Sequence, residues 1–368
     1  MQKMVKRVII GGGGTGGHIF PAISIANALR DKNPGIGILF VGALGKLEME
    51  KVPEAGYDII GLPVEGLQRK LSLKIFSFIV KLWKSMQMSK KIIEDFKPDV
   101  VVGVGGYASG PILRAAVTKG IPVVIQEQNS YAGITNRILA RSAIKILVAY
   151  QGMERFFPAE RMVMTGNPVR QDIVNMKALK KEGIEHFGLS ENRETILILG
   201  GSLGSRTINR SIIGALGRIP EKVQLLWQTG KYYYDEAISR HKESGAANVV
   251  VVDFIKRMDM AYSLADVIIS RAGAGTISEL AIAGKPVILV PSPNVAEDHQ
   301  TRNALALKNK DAVIIVKDNE AEISLINEAL NLINDRNRKI ELSENLKKLA
   351  IPDSASRIAS EIMELIKP

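Results

Sequence analysis

Residues 8–22 read VIIGGGGTGGHIFPA: a short apolar run, six glycines and one threonine in seven positions, then a histidine and a helix-like segment. Glycine at this density carries a high entropic cost, so the backbone there must adopt conformations or close approaches that a Cβ forbids. A second junction of the same kind lies at 194–212, ETILILGGSLGSRTINRSI. A strand, a glycine turn and a helix start, met twice, constrain the chain to open parallel sheets whose first strand–helix turn admits a ligand closely.

The rest of the chain follows that grammar. KRVII, IGILFVG, PDVVVGVG, PVVIQE and IKILVA are β-branched runs bounded by Gly, Pro or Asp, with helical periodicity between them, as at 18–30 and 131–141. After the second junction come VQLLWQTG, NVVVVDF, ADVIISRAGAG and KPVILVPS, again alternating with helices. The pattern predicts an α/β chain of two Rossmann-like, doubly wound parallel-sheet domains facing a central cleft. The expected domains are 1–165 and 166–352, joined near MVMTGNPVRQD, with a capped last helix at 353–368 packing back on the first.

At 368 residues two cores are expected. The absence of cysteine excludes disulfides, thiolate metal ligands and a thiol nucleophile. The N-terminal MQKMVKRVIIGGGG runs straight into a strand, so no cleavable leader is expected, and no apolar run approaches a spanning length. Charge is uneven: residues 1–165 hold 22 Lys/Arg against 12 Asp/Glu, and residues 166–368 hold 27 against 26. A basic first half points to an anionic surface or substrate.

The first loop fits G-x-G-x-x-G at Gly11, Gly13 and Gly16, but the next strand ends ILFVGALG, without the acid a dinucleotide ribose needs. His18 follows the last glycine at a helix start, where the dipole favours the neutral imidazole of a general base. The second loop fits a nucleophile elbow at Gly200, Ser202 and Gly204, with Asp253, Asp266, His241 and His299 as conceivable partners; its likeness to the first loop favours a phosphate loop. In 266–304 small residues at 272–276 open a helix after a strand, Glu279 follows one turn in, and Asp298, His299 and Gln300 enter another helix. Neither D-x-D nor a histidine cluster occurs, so no tightly bound metal is expected.

Between residues 69 and 97 there are eight Lys/Arg and two acids. On a helix, Lys74, Ser77, Lys81 and Lys84 form a narrow polar stripe, and Ile75, Phe76, Phe78, Ile79, Leu82 and Trp83 make the rest broadly apolar. That combination predicts an interfacial helix on an anionic membrane, against a buried helix with snorkelling lysines.

GGTGGHIFPA (13–22), EQNSYAGITNR (127–137), GNPVR (166–170), GGSLGS (200–205), SRAGAGTISEL (270–280) and DHQTRNA (298–304), in this order and spacing, resemble the MurG family of peptidoglycan N-acetylglucosaminyltransferases across nearly the whole chain. The resemblance implies a GT-B fold and an inverting transfer of GlcNAc from UDP-GlcNAc to the C4 hydroxyl of MurNAc in lipid I (undecaprenyl-diphosphate-MurNAc-pentapeptide), giving lipid II at the cytoplasmic face of the membrane. It implies His18 as base, with Gly14, Thr15, Gly16 and Gly17 lining the acceptor side and Thr15, Gly16 and Gly17 also reaching the donor. Asn129, Arg170, Ser202, Ile255, Thr276, Glu279 and Gln300 would bind UDP-GlcNAc. Where some members carry paired glutamines this chain has His299–Gln300, which ranks Gln300 first. No resident cofactor and no nucleic acid are implied; divalent-cation stimulation and contacts with cell-wall synthesis proteins stay open. Alternatives are another UDP-sugar enzyme of the same fold, such as a UDP-GlcNAc 2-epimerase, a nicotinamide-dependent oxidoreductase, and a non-catalytic membrane-docking module.

Overall fold

The computed structural model describes residues 5–14, 16–65, 74–174, 176, 179–201, 203–295 and 298–366, with the backbone alone for 74–76. The chain divides into two compact units, one running to Arg170 and resuming at Ile351, the other Gln171–Ala350.

The first unit is a parallel sheet of β1 (Arg7–Gly11), β2 (Gly37–Ala43), β3 (Asp58–Leu62), β4 (Val100–Gly103), β5 (Val123–Glu127), β6 (Lys145–Val148) and β7 (Met162–Met164), in the order 3-2-1-4-5-6-7. Its helices are α1 (Gly16–Lys32), α2 (Glu48–Glu54), α3 (Lys74–Phe96), α4 (Ser109–Thr118) and α5 (Ile134–Leu139). Both sheet faces are covered, which is why its strands read as continuous β-branched runs. Ile9, Val101 and Ile125 meet α3, α4 and α5 through Ile92, Ile112 and Leu139. Val8, Ile10 and Val102 meet α1 and the last helix, Ser354–Met363, through Ile25, Ile358 and Ile362.

The second unit repeats the arrangement with β8 (Glu194–Leu199), β9 (Val223–Gln228), β10 (Val249–Val252), β11 (Val267–Ser270), β12 (Val287–Leu289) and β13 (Ile314–Ile315), in the order 10-9-8-11-12-13. The order reverses between β1 and β4 and between β8 and β11. Each glycine loop therefore leaves its sheet at a switch point, where open parallel sheets bind ligands.

Two local expectations change. The periodicity at 131–141 yields only α5 and a single 3-10 turn, Ala140–Ser142, because the side chain of Glu127 binds the backbone of Asn129 and Gly133 and holds that stretch as a loop. Asp353 does not cap the last helix; its carboxylate accepts from Arg357 Nε at 2.7 Å.

Ile358 is fully buried against the first sheet although it lies near the end of the sequence. Ile358→Ala is expected to destabilise the first unit by about 2–5 kcal/mol, read as a shifted unfolding transition. An unchanged transition would mean that the last helix is dispensable.

Candidate active site

At the end of β1 the backbone turns through Gly13 (φ +146°) and Gly14 (φ +91°), conformations that a side chain strains. The turn closes on the carboxylate of Glu48, at the start of α2 and 1% exposed. Gly14 N–H donates to Glu48 Oε1 and Oε2 at 3.1 and 3.0 Å, and Ala43 N–H donates to Oε1 at 2.9 Å. A search for an acid closing β2 misses this one, which lies five residues past the strand and points into the turn rather than toward a ribose.

α1 begins at Gly16, so His18 is its third residue, half-buried. A Cβ on Gly105 (φ +97°) would stand 2.8 Å from His18 Cδ2 and 2.9 Å from Nε2, so the imidazole lies over bare backbone. A Cβ on Gly106 (φ +79°) would meet Gly13 O at 2.2 Å. The turns after β1 and β4 thus interlock through glycine on both sides. Tyr107 closes the group, with ring and hydroxyl 3.4–3.6 Å from where a Gly14 Cβ would sit. The motif GVGGY at 103–107 signals this second turn, and sequence reasoning passed over it.

The next loop is organised by Glu127, buried at the end of β5. Its carboxylate accepts from Asn129 N at 3.0 Å, Asn129 Nδ2 at 3.4 Å, Gly133 N at 3.0 Å and Asn136 Nδ2 at 2.9 Å. Burial pushes this carboxyl above the usual range, and the four donors oppose that shift without cancelling it. Asn136 Nδ2 is also 3.9 Å from the Cβ position of Gly105, so the cluster borders the backbone that carries the His18 ring. Asn129 is half-buried, and Arg170 ends the first unit, also half-buried.

In the second unit Gly201 and Gly204 take positive φ (+86° and +84°), and a Cβ on Gly204 would strike Thr229 O at 2.2 Å. Ser205 caps the following helix by accepting from Ile208 N. A cavity of about 680 Å³ opens here, lined by Gly200, Ser205, Arg206, Arg271, Ser292 and Gln300 among others. Arg271 is held by Val290 O and Asp318, whose other oxygen accepts from Thr207 Oγ1. Gln300 Oε1 accepts from Ser292 N at 2.9 Å, which fixes the side chain at the cavity wall. Thr276 and Glu279 lie on the helix Ala274–Ala283, which follows Gly273 in extended conformation, and Glu279 accepts from Tyr262 Oη at 3.0 Å. Ile255 is buried, and its N–H donates to Gln228 Oε1 at 2.9 Å.

Of the triad alternatives, Asp266 is committed to Lys180 and Thr195 N, and Asp253 to Phe254 N. Thr15 and Ser202 lie outside the described residues. Among the described residues no group of His, Asp and Glu is arranged to hold a metal.

On α3 the side chains of Lys74, Ile75 and Phe76 lie outside the description. Trp83 is 61% and Ile79 55% exposed, Leu82 and Lys84 are exposed, and Phe78 is half-buried. Lys81 pairs with Glu65, and the buried positions are Ser85, Ser89, Ile92 and Ile93. Ile79, Leu82 and Trp83 thus face outward together with Ser77, whereas Ser85 and Ser89 face inward. Among the described residues no helix is long and apolar enough to cross a membrane.

Two family models match the chain: the glycosyltransferase family 28 N-terminal domain over residues 8–148 and its C-terminal domain over 195–358. The UDP-N-acetylglucosamine–N-acetylmuramyl-(pentapeptide) pyrophosphoryl-undecaprenol N-acetylglucosamine transferase of Parabacteroides distasonis is 56% identical over 361 residues, covering 98% of both chains. That of Bacteroides thetaiotaomicron is 55% identical over 368 residues, 99% of each. The crystal structure of MurG from Acinetobacter baumannii superposes with a TM-score of 0.77 at 30% identity, covering 98% of this chain and 99% of that one. UDP-GlcNAc 2-epimerase from Neisseria meningitidis reaches 0.68 at 16% identity, covering 98% and 99%, a likeness of fold alone. The chain belongs to glycosyltransferase family 28, in its MurG branch of N-acetylglucosamine transferases. Its two parallel sheets form a GT-B-like fold.

Glu127 gives a pH test. A carboxyl whose folded pKa lies above its unfolded value stabilises the fold at low pH, and that contribution is lost as pH rises through the window between the two values. The unfolding midpoint of the wild type, relative to Glu127→Gln, should therefore fall as pH rises from about 4 toward neutrality. A gap that widened with pH would contradict the raised carboxyl.

Proposed function

We infer that this protein transfers GlcNAc from UDP-GlcNAc to the C4 hydroxyl of MurNAc in lipid I, forming lipid II. The observation that carries the reading is identity of 55–56% with the named transferases over essentially the full chain.

The first unit supplies the base and the acceptor contacts. His18 takes the proton of the C4 hydroxyl as that oxygen bonds to the anomeric carbon. The bond from that carbon to the β-phosphate oxygen breaks, its electron pair leaves with UDP, and the configuration inverts. With bare backbone at Gly105 beside the ring, no side chain there obstructs the acceptor. Gly14 N–H is engaged by Glu48, so contacts to the acceptor diphosphate fall to Gly16, Gly17 and Thr15, of which the same three would also touch the donor.

The second unit holds the donor. Thr276 and the start of its helix face the diphosphate, Glu279 takes the ribose hydroxyls while Tyr262 orients it, and Gln300 reads the sugar. Because Ile255 N–H is occupied by Gln228, its carbonyl is the group left for uracil N3–H. Arg170 and Ser202 complete the contacts to UDP, and Asn129, oriented by Glu127, contacts the donor sugar. The protein sits peripherally on the cytoplasmic face of the membrane through Ile79, Leu82 and Trp83, with Lys84 beside them for anionic headgroups.

UDP release from UDP-GlcNAc should require lipid I. Conversion of UDP-GlcNAc alone to UDP-ManNAc would replace this reading with an epimerase. His18→Ala should lower kcat by about 10²–10⁴-fold while UDP-GlcNAc binding is unchanged. Normal turnover would remove the base assignment. Replacing Leu82 and Trp83 with Ser should weaken binding to anionic vesicles with the melting transition preserved. Loss of fold would mean that these side chains are core.

A further inference from the structure

The glycine turn after β1 has the form that receives phosphate in dinucleotide-binding sheets, yet its notch is filled by the protein itself. A Cβ on Gly13 would stand 2.1 Å from Glu48 Oε1, and one on Gly42 would stand 2.5 Å from Glu48 Cγ. Bare backbone at Gly13 and Gly42, at the ends of two separate strands, thus makes room for one internal carboxylate. Glu48 opens α2, where an acid commonly serves its own helix. Its carboxylate instead accepts from Gly14 N–H and Ala43 N–H, outside that helix. The charge also reaches the neighbouring Tyr107, whose phenol burial pushes up, with Glu48 and then Glu65 adding to the shift.

We propose that Glu48 is the resident anion of the first glycine loop: it takes the backbone donors that a phosphate would use, keeps phosphate out of the notch, and fixes the turn from which the helix bearing His18 starts. It is a positioning residue, since its carboxylate is bonded to the Gly14 and Ala43 backbone and acts on His18 only through the turn. Two physical terms exclude a second anion there. The space is occupied, and a further negative charge beside a carboxylate 1% exposed meets unscreened repulsion. Backbone accounting gives the positive side of the argument. Gly14 N–H and Ala43 N–H lie at a buried strand end and need acceptors, and one side chain satisfies both. The proposal deepens the acceptor-side reading above and rests on it only for its kinetic arm.

The test has two arms on the full chain. In protein labelled with ¹⁵N-glycine and ¹⁵N-alanine, titration with inorganic pyrophosphate should leave the Gly14 and Ala43 amide resonances in place. Saturable movement of either would overturn the proposal. In kinetics, Glu48→Gln removes the charge and, with its oxygen at the Oε1 position, sets a donor against Gly14 N–H where Oε2 accepted. It should lower kcat about 10- to 100-fold through displacement of His18, with the KM for UDP-GlcNAc within about twofold. Glu48→Asp, which keeps the charge, should recover part of the loss. Wild-type kcat in Glu48→Gln, or a lowered acceptor KM, would mean that the notch is the diphosphate site and Glu48 its competitor. Should Glu48→Gln not fold, the wild-type titration decides alone. Failure of the transferase reading would show separately, as no UDP release by the wild type, and would leave the amide arm standing.

Discussion

A parallel sheet ends in a row of backbone donors that its own ladder cannot satisfy, and what satisfies them decides what the site can bind. In the first unit the answer is a buried carboxylate at each of two strand ends. Glu48 ties the turn after β1 to the end of β2, and Glu127 ties the loop after β5 to α5. The start of α1 with His18 hangs from one anchor, and Asn129 and Asn136 from the other. The interlocked glycines at Gly13 and Gly106 then allow the two turns to approach within the reach of one backbone atom.

The second unit answers the same need with neutral side chains: Gln228 Oε1 accepts from Ile255 N and Gln300 Oε1 from Ser292 N. The 200–204 loop leans on Thr229 and Gly230 at the end of β9, and only the Ser205 hydroxyl caps its helix. Asp318, one of the carboxylates lining that cavity, is turned to Arg271 and Thr207. Two loops with nearly the same sequence grammar therefore differ in electrostatic character. The first is filled by its own carboxylate beside the proposed base, and the second is left for the proposed anionic donor. This difference is consistent with a basic first half meeting a lipid surface and a neutral second half meeting a soluble nucleotide.

The sheets, their glycine turns and the helix that follows each were legible in the sequence, because strands buried on both faces leave unbroken β-branched runs and glycine marks the turns. His18, the proposed base, was singled out for the same local reason. Glu48 was not: its destination depends on Gly13 and Gly42 leaving space, which is a property of two separated strands. Gly105, Gly106 and Tyr107 were missed because their importance lies in touching the first loop, some ninety residues away. α5 is shorter than its periodicity because Glu127 outcompetes the helix for two amides. On α3 an almost continuous apolar pattern cannot say which side faces in, and the sheet selects Ser85 and Ser89.

The central claim is that the second loop region receives the nucleotide while the glycine notch of the first is already filled. Hydrogen exchange measured by mass spectrometry with and without UDP-GlcNAc tests it directly. Protection should concentrate at residues 273–279 and around 255, with residues 11–14 unchanged. Protection of 11–14 equal to that of 273–279 would contradict the account.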